Sequence, residues 1–317
     1  MNADAPAVHA FGLSRSFGTN RAVDGVDLTI PEGTIFGLLG PDGAGKSTLI
    51  RMLATVLAPD TGDAMIFGNS VTRAPDQVTP WIGYMSQNFS MYPDLSVAEN
   101  LNFFATLRGV GRAERGRRAS RLMSAMGLAE FADRRARTLS GGMKQKLMLA
   151  ATLMHQPDVL LLDEPTTGVD PVSRREFWRI LAALHRDGKT VLVATPYMDE
   201  AVRCTHLAFL SGGRISREGS PAEIKKVVPG TLFELATLHP RAVLAELAGT
   251  PDVLSAHLYG DVVRVLWTGD GRAERELTSR LGAANLTVTA IRPARVDMEA
   301  AFAYLTESER IREVTRP

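Results

Sequence analysis

At 317 residues the chain can form one large domain with a small one, or two of medium size. With 45% hydrophobic and 22% charged residues it reads as globular with a substantial core, and 36 basic against 35 acidic side chains leave a formal charge of +1. That balance excludes a global field able to hold the chain to nucleic acid or an anionic lipid surface.

The opening segment Met1–His9 lacks the basic start and apolar stretch of a secretion signal. Apolar runs such as Val159–Leu162 are strand-sized, far below the roughly 20 residues a spanning helix needs. Cys204 is the sole cysteine, so no intrachain disulfide can form, and it reads as a small buried or half-buried side chain rather than a reactive thiol. The expected location is the cytosol.

Short β-branched or Leu-rich runs alternate with helical patterns, which predicts an α/β domain around a buried sheet. Strands are expected at Thr34–Leu39, Trp81–Met85, Val159–Asp163, Thr190–Thr195 and His206–Leu210. Between Ser96 and Met154 the pattern is helical only, with helices over Val97–Leu107 and Arg112–Met126 broken by Gly109, Gly111 and Gly127. The first domain is therefore 1–229, with a helical subdomain over about 88–156. The remainder, 230–317, reads as strand Leu232–Leu238, helix Pro240–Ala248, strands Val253–Leu258 and Val262–Trp267, helix Arg272–Leu281, strand Leu286–Ile291 and helix Met298–Leu305. Its βαββαβ order predicts a small α+β ferredoxin-like accessory domain.

The first chemistry-bearing motif is Gly40-Pro41-Asp42-Gly43-Ala44-Gly45-Lys46-Ser47-Thr48, a complete P-loop pattern between an apolar strand and the helical run Thr48–Leu57. Its glycines permit a tight turn whose N–H groups point at phosphates, and the helix start adds partial positive charge. Lys46 is expected to reach the β- and γ-phosphates of ATP, and Ser47 to ligate Mg²⁺. Val159–Asp163 is an apolar strand ending in a carboxylate, which places Asp163 at the sheet edge beside the P-loop, where it would hold Mg²⁺ through water. Glu164, one residue on, is positioned to polarise the attacking water.

Leu139-Ser140-Gly141-Gly142-Met143-Lys144-Gln145 resembles the signature motif of ABC ATPases. Physically it is a second anion site, in which the Ser140 hydroxyl and the Gly141 and Gly142 amides precede a helix running to about Met154. The resemblance implies a P-loop NTPase core whose signature motif grips the γ-phosphate bound to the opposite subunit, so that each ATP lies between two chains. It implies that Phe17 stacks on adenine, that Gln87 senses Mg²⁺ and faces a membrane partner, and that Gly168-Val169-Asp170-Pro171 crosses the dimer interface with Asp170 as its key acid. It covers about residues 7–228, and the segment Arg295–Phe302 resembles the tail of drug- and polysaccharide-exporter ATPases.

One position departs from the family. A histidine that contacts the γ-phosphate normally follows the strand equivalent to Thr190–Thr195, and Pro196 stands there instead. Proline has neither a titratable group nor an N–H, so it cannot replace the contact, although the neighbouring Tyr197 carries a donor hydroxyl. Losing one such contact slows turnover by roughly 10²–10³-fold, by analogy with an oxyanion donor. Two arrangements stay open: a heterodimer with an ATPase chain that supplies a complete second site, or a homodimer working slowly through Glu164. A kinetically silent substitution fits either.

The six histidines show no metal-like spacing, and Arg112, Arg115, Arg117, Arg118 and Arg121, interleaved with Glu114 and without aromatic partners, read as a solvated face rather than an RNA site. The function these features imply is an exporter motor on the cytoplasmic face of a membrane, coupled to a separate permease. The rival readings are a soluble ABC ATPase acting on ribosomes or DNA, and a module that holds ATP with little hydrolysis. One cassette and no sustained heptads count against the ribosome or DNA reading.

Overall fold

A computed structural model describes residues 6–314 of the chain. The first five and last three residues, which fall within the expected ranges 1–229 and 230–317, lie outside the described residues. The chain divides into two compact units, the first ending at Ser220 and the second beginning at Pro221. The division falls nine residues before the expected one (229 − 220) because a short helix past Ser220 packs on the C-terminal helix.

The first unit opens with β1 (Val8–Phe17) and β2 (Asn20–Ile30), an antiparallel pair, followed by β3 (Ile35–Leu39) and helix α1 (Lys46–Leu53). Next come β4 (Thr61–Ile66), the short β5 (Asn69–Ser70), the one-turn α2 (Pro75–Val78) and β6 (Ile82–Met85). The helical stretch follows as α3 (Val97–Leu107), α4 (Arg112–Met126) and α5 (Gly141–Thr152), with the first two at their expected bounds. The unit closes with β7 (Val159–Asp163), α6 (Pro171–Arg186), β8 (Thr190–Ala194), α7 (Met198–Ala201), β9 (His206–Ser211) and β10 (Arg214–Gly219).

All five strands expected from apolar runs enter one six-stranded sheet of order β10-β9-β3-β8-β7-β6, parallel except at β10. Every residue of β3, β7 and β8 is buried, as befits strands covered on both faces. The register aligns Leu38 with Ala194, Asp163 with Ala194 and Met85 with Leu162, so four strands end along one edge. A second sheet, β2-β1-β4-β5, shares a continuous core with α1 that includes Leu13, Ile30, Phe36, Leu49, Leu53 and Leu161. Each such side chain contributes about 1.5–3 kcal/mol by leaving water.

In the second unit, α8 (Pro221–Lys226) precedes β11 (Thr231–Thr237), α9 (Pro240–Leu247), β12 (Val253–Tyr259), β13 (Val262–Trp267), α10 (Ala273–Ala283), β14 (Val288–Ala294) and α11 (Met298–Val314). The four strands form one antiparallel sheet, β12-β13-β11-β14. Its separate core includes Leu235, Val243, Leu247, Val263, Val265 and Leu281.

The helical subdomain is anchored where α3 begins. Ser96 caps the helix reciprocally with Glu99. The fully buried Asn100 accepts from the Tyr92 N–H and donates to the carbonyls of Tyr92, Leu95 and Ser96. Replacing Asn100 by Ala strands these backbone groups, and the expected loss is about 1–3 kcal/mol of unfolding free energy in denaturant titration. A variant as stable as the parent would show that the loop does not depend on this side chain.

Candidate functional site

The P-loop takes its shape from glycines where a side chain cannot fit. Gly45, at φ 104°, is the N-cap of α1, and a Cβ there would lie 2.1 Å from the Ala22 carbonyl oxygen on β2. A Cβ on Gly40 would lie 2.2 Å from the Leu210 carbonyl oxygen. Gly43 adopts φ 79° with open space around it, and the Ala44 N–H closes the turn onto Pro41 O at 3.2 Å. Asp42 is exposed at the loop tip, and Thr48 lies half-buried in the first turn of α1.

Lys46 is 4% exposed, and its Nζ donates to the carbonyls of Gly40 at 2.9 Å and Pro41 at 3.0 Å. Glu164 Oε1 lies 3.8 Å from the same ammonium. The loop's own carbonyls thus hold the cation over the turn, where a phosphate chain can displace them. The Ser47 hydroxyl donates to Asp163 Oδ1 at 2.8 Å, joining the start of α1 to the end of β7. Asp163 is fully buried and its Oδ2 has no hydrogen-bond partner. A buried carboxylate oxygen without a donor beside a serine hydroxyl is an oxygen set suited to Mg²⁺. Burial pushes the Asp163 carboxyl above its ordinary 3.8, with the Ser47 hydrogen bond opposing the shift. A bound cation would oppose that shift by favouring the carboxylate.

Glu164 sits in the left-handed region at φ 48°, unusual for a residue with a side chain. Its N–H donates to Ala194 O at 3.0 Å, and its carbonyl accepts from the Thr167 N–H at 3.2 Å. Its Oε2 accepts from Gln87 Nε2 at 2.8 Å and from the Thr167 hydroxyl at 3.2 Å. The carboxylate is therefore aimed by Gln87, supplied from just beyond β6, and by Thr167 on its own turn.

Phe17 ends β1 with half its surface exposed and the Arg15 guanidinium 5.2 Å from its ring centre. The β1–β2 hairpin that carries it is the one that meets the P-loop through Ala22.

Ser140, Gly141, Gly142 and Asp170 gather elsewhere. Ser140 is the N-cap of α5, its Oγ accepting from the Met143 N–H at 3.3 Å. Asp170 caps α6 through the N–H groups of Val172 and Ser173, at 3.0 and 2.9 Å. The Ser173 backbone, then its hydroxyl, hold the Asp170 carboxyl below the usual carboxylate range. The two caps touch, since a Cβ on Gly142 would come within 2.5 Å of Ser173 Cβ. Among the described residues, no hydrogen bond or ion pair joins this cluster to Lys46, Ser47, Asp163 or Glu164.

The loop after β8 holds what the sequence did not reveal. Pro196 is half-buried, and the Tyr197 ring lies 4.2 Å beneath the Arg174 guanidinium of α6. Glu200 is fully buried between hydroxyls of Thr166 and Thr195. Cys204 is buried, its thiol pushed up to about 12 by burial. Arg117 and Arg118 pair with Glu114 on their own helix, and Arg118 also donates to Met154 O at 3.0 Å.

In metal-free protein the raised Asp163 group binds its proton to a higher pH than the unfolded chain does, so its contribution to stability falls as pH rises above 3.8. Asp163→Asn in EDTA at pH 7 is therefore expected to unfold at or above the parent temperature. The same variant should lose the upward shift that Mg²⁺ with ATP gives the parent in a thermal melt. An undiminished shift would remove Asp163 from the cation site.

A family model described as ABC transporter matches residues 23–167. The chain is 43% identical over 241 residues to the daunorubicin/doxorubicin resistance ATP-binding protein DrrA of Streptomyces peucetius, covering 76% of this chain and 73% of that one. It is 40% identical to the Nod factor export ATP-binding protein I of Cupriavidus metallidurans, over 67% of this chain and 70% of the relative. The match to the probable multidrug ABC transporter ATP-binding protein YbhF of Escherichia coli, at 41% identity, spans 80% of this chain but only 45% of that protein. Among solved structures, the dimeric post-hydrolysis state of the cassette MJ0796 bound to ADP and Pi superposes with a TM-score of 0.62 at 28% identity, covering 67% of this chain and 98% of that one. The chain belongs to the exporter-type ATP-binding subunits of ABC transporters, a family of ATP hydrolases.

Proposed function

We propose that this chain powers export through a separate membrane-spanning permease, two ATP-binding subunits closing on ATP and reopening after hydrolysis. The observation that carries this reading is the division of the polar residues into two clusters. Lys46, Ser47, Asp163, Glu164 and Gln87 converge on one P-loop, while Ser140–Gly142 and Asp170 form a second surface without a bond to it. Two chains facing each other would bring the second surface of one over the P-loop of the other.

In this reading the Gly40–Thr48 backbone and Lys46 hold the β- and γ-phosphates, and Phe17 stacks on the adenine. Ser47, Asp163 and Gln87 would hold Mg²⁺, Asp163 through water. When bound, that ion neutralises charge on the β- and γ-phosphate oxygens. Glu164 accepts a proton from the attacking water, its carboxylate already oriented by Gln87 and Thr167. Ser140 and the Gly141 and Gly142 amides face the γ-phosphate of the partner's ATP, and Asp170 crosses the interface.

Pro196 deprives the site of one donor, which fits slow turnover in a homodimer or pairing with a more complete ATPase chain. The second unit, with its βαββαβ order, is an accessory domain of ferredoxin-like type. Among the described residues no helix is long and apolar enough to cross a membrane, which fits peripheral docking on the cytoplasmic face.

Purified full chain should hydrolyse ATP only with Mg²⁺, and Glu164→Gln should abolish that rate. Pro196→His should raise kcat, by up to roughly 10²-fold if it restores a transition-state donor. An unchanged kcat would clear Pro196 of limiting turnover, and activity surviving in Glu164→Gln would remove the base assigned here. Affinity purification from membranes should recover a polytopic protein rather than ribosomes.

A further inference from the structure

Glu200 stands outside every motif described so far, yet it is as completely enclosed as Asp163. Its carboxylate has no solvent exposure and is carried on the four-residue helix α7. Thr166 Oγ1 donates to Oε1 at 2.5 Å and Thr195 Oγ1 donates to Oε2 at 2.6 Å. Both threonines are 1% exposed. The nearest cation is Arg174, whose Nε lies 3.9 Å from Oε1 with no hydrogen-bond partner of its own. A carboxylate that leaves water without a close cation is costly. Filling the same space would serve a core equally well with an uncharged side chain. What the charge adds is short, charge-assisted bonds to two loops at once.

Those loops leave neighbouring strands at the edge where the site lies. Thr195 immediately follows β8 and Thr166 is three residues past the end of β7, the two strands being paired at Asp163 and Ala194. The Thr195 hydroxyl also accepts from the Tyr197 N–H at 3.1 Å, so one oxygen fixes both sides of Pro196. On the other loop, Thr166 is covalently joined to Thr167, whose hydroxyl bonds Glu164 Oε2 and whose N–H bonds the Glu164 carbonyl. The turn 164–167 begins with a left-handed glutamate, a conformation that persists only when its surroundings over-determine it.

We propose that Glu200 is a positioning residue for hydrolysis: through Thr166 and Thr195 it latches the loop after β7 to the loop after β8 and so holds Glu164 in its hydrolytic geometry. This rests on the reading of Glu164 as the group that activates water. It also gives the Pro196 loop a role that needs no contact with phosphate, as the fixed post to which the Glu164 turn is tied.

The test is steady-state hydrolysis by the full chain, with kcat and the KM for ATP measured separately and each variant's melting temperature recorded. Thr166→Val keeps shape and removes the hydroxyl. Its expected effect is a kcat lower by roughly 10- to 100-fold, the scale of a small misplacement of a reacting group, with KM within about threefold of the parent. Thr166→Ser, which retains the hydroxyl, should restore most of the rate. Combining Thr166→Val with Glu200→Gln should cost less than the product of the two single losses, because both break one latch. A folded Thr166→Val with kcat within twofold of the parent overturns the proposal, as does a rise in KM at constant kcat. If Thr166→Val fails to fold, Glu200→Gln decides: a severalfold lower kcat at constant KM upholds the latch, and an unchanged kcat sinks it. Glu164→Gln run alongside separates the two claims. Hydrolysis that survives it removes both, whereas hydrolysis that it abolishes but Thr166→Val leaves intact removes the latch alone.

Discussion

Strand β7 has no exposed residue, so the first place it can carry a charge is its last position. That constraint organises the site. Buried on both faces between β6 and β8, the apolar run Val159–Leu162 cannot accept a polar side chain without losing core. Asp163 therefore appears at the sheet edge, against the first turn of α1, with one oxygen satisfied by Ser47 and the other without a hydrogen-bond partner. Glu164, its N–H still bonded to Ala194 O at the end of β8, leaves the strand in the left-handed conformation beside Lys46 and Gln87. A sheet built from hydrophobic burial thus delivers the proposed metal ligand and the proposed base in consecutive residues.

The parts of this arrangement that were legible in the sequence are local ones. A P-loop carries its strand, its glycines and its helix in one continuous segment, and the five strands of the parallel sheet announce themselves as short apolar runs because both their faces are covered. The helices Val97–Leu107 and Arg112–Met126 were legible through their pattern and the glycines that break them. The antiparallel sheet was not. Strands β1, β2 and β4 contain Gly12, Gly25 and Gly62, their ladders shift register, and their alternation is broken where it would be most diagnostic. Gly62 is there because a Cβ would lie 2.3 Å from the Gly12 carbonyl oxygen, a requirement set by the neighbouring strand rather than by its own.

Glu200 was invisible for a related reason. In Tyr197-Met198-Asp199-Glu200 two adjacent acids look like the solvated start of a helix, and Asp199 is exposed as that pattern implies. The partner that buries Glu200, Thr166, lies on another strand's loop, and only the sheet order brings the two together. Tyr197 shows the converse. It carries a donor hydroxyl next to the place of the absent histidine, and its ring lies against Arg174 on α6. Local chemistry names candidates, and packing decides which of them are free.

The meeting of the β1–β2 hairpin with the P-loop has a consequence for what the site can distinguish. Gly45 touches Ala22 main chain to main chain, and Phe17 stands on the same hairpin, so the span from the aromatic platform to the phosphate turn is set by backbone geometry. With the proposed roles of Phe17 and the P-loop, such a wall would act as a ruler that measures the length of a polyphosphate from its ring. A ring laid on an aromatic face is sensed by area and not by the pattern along its edge, so, with Phe17 in its proposed role, such a site would be strict about how many phosphates a nucleotide carries and lenient about which base it bears.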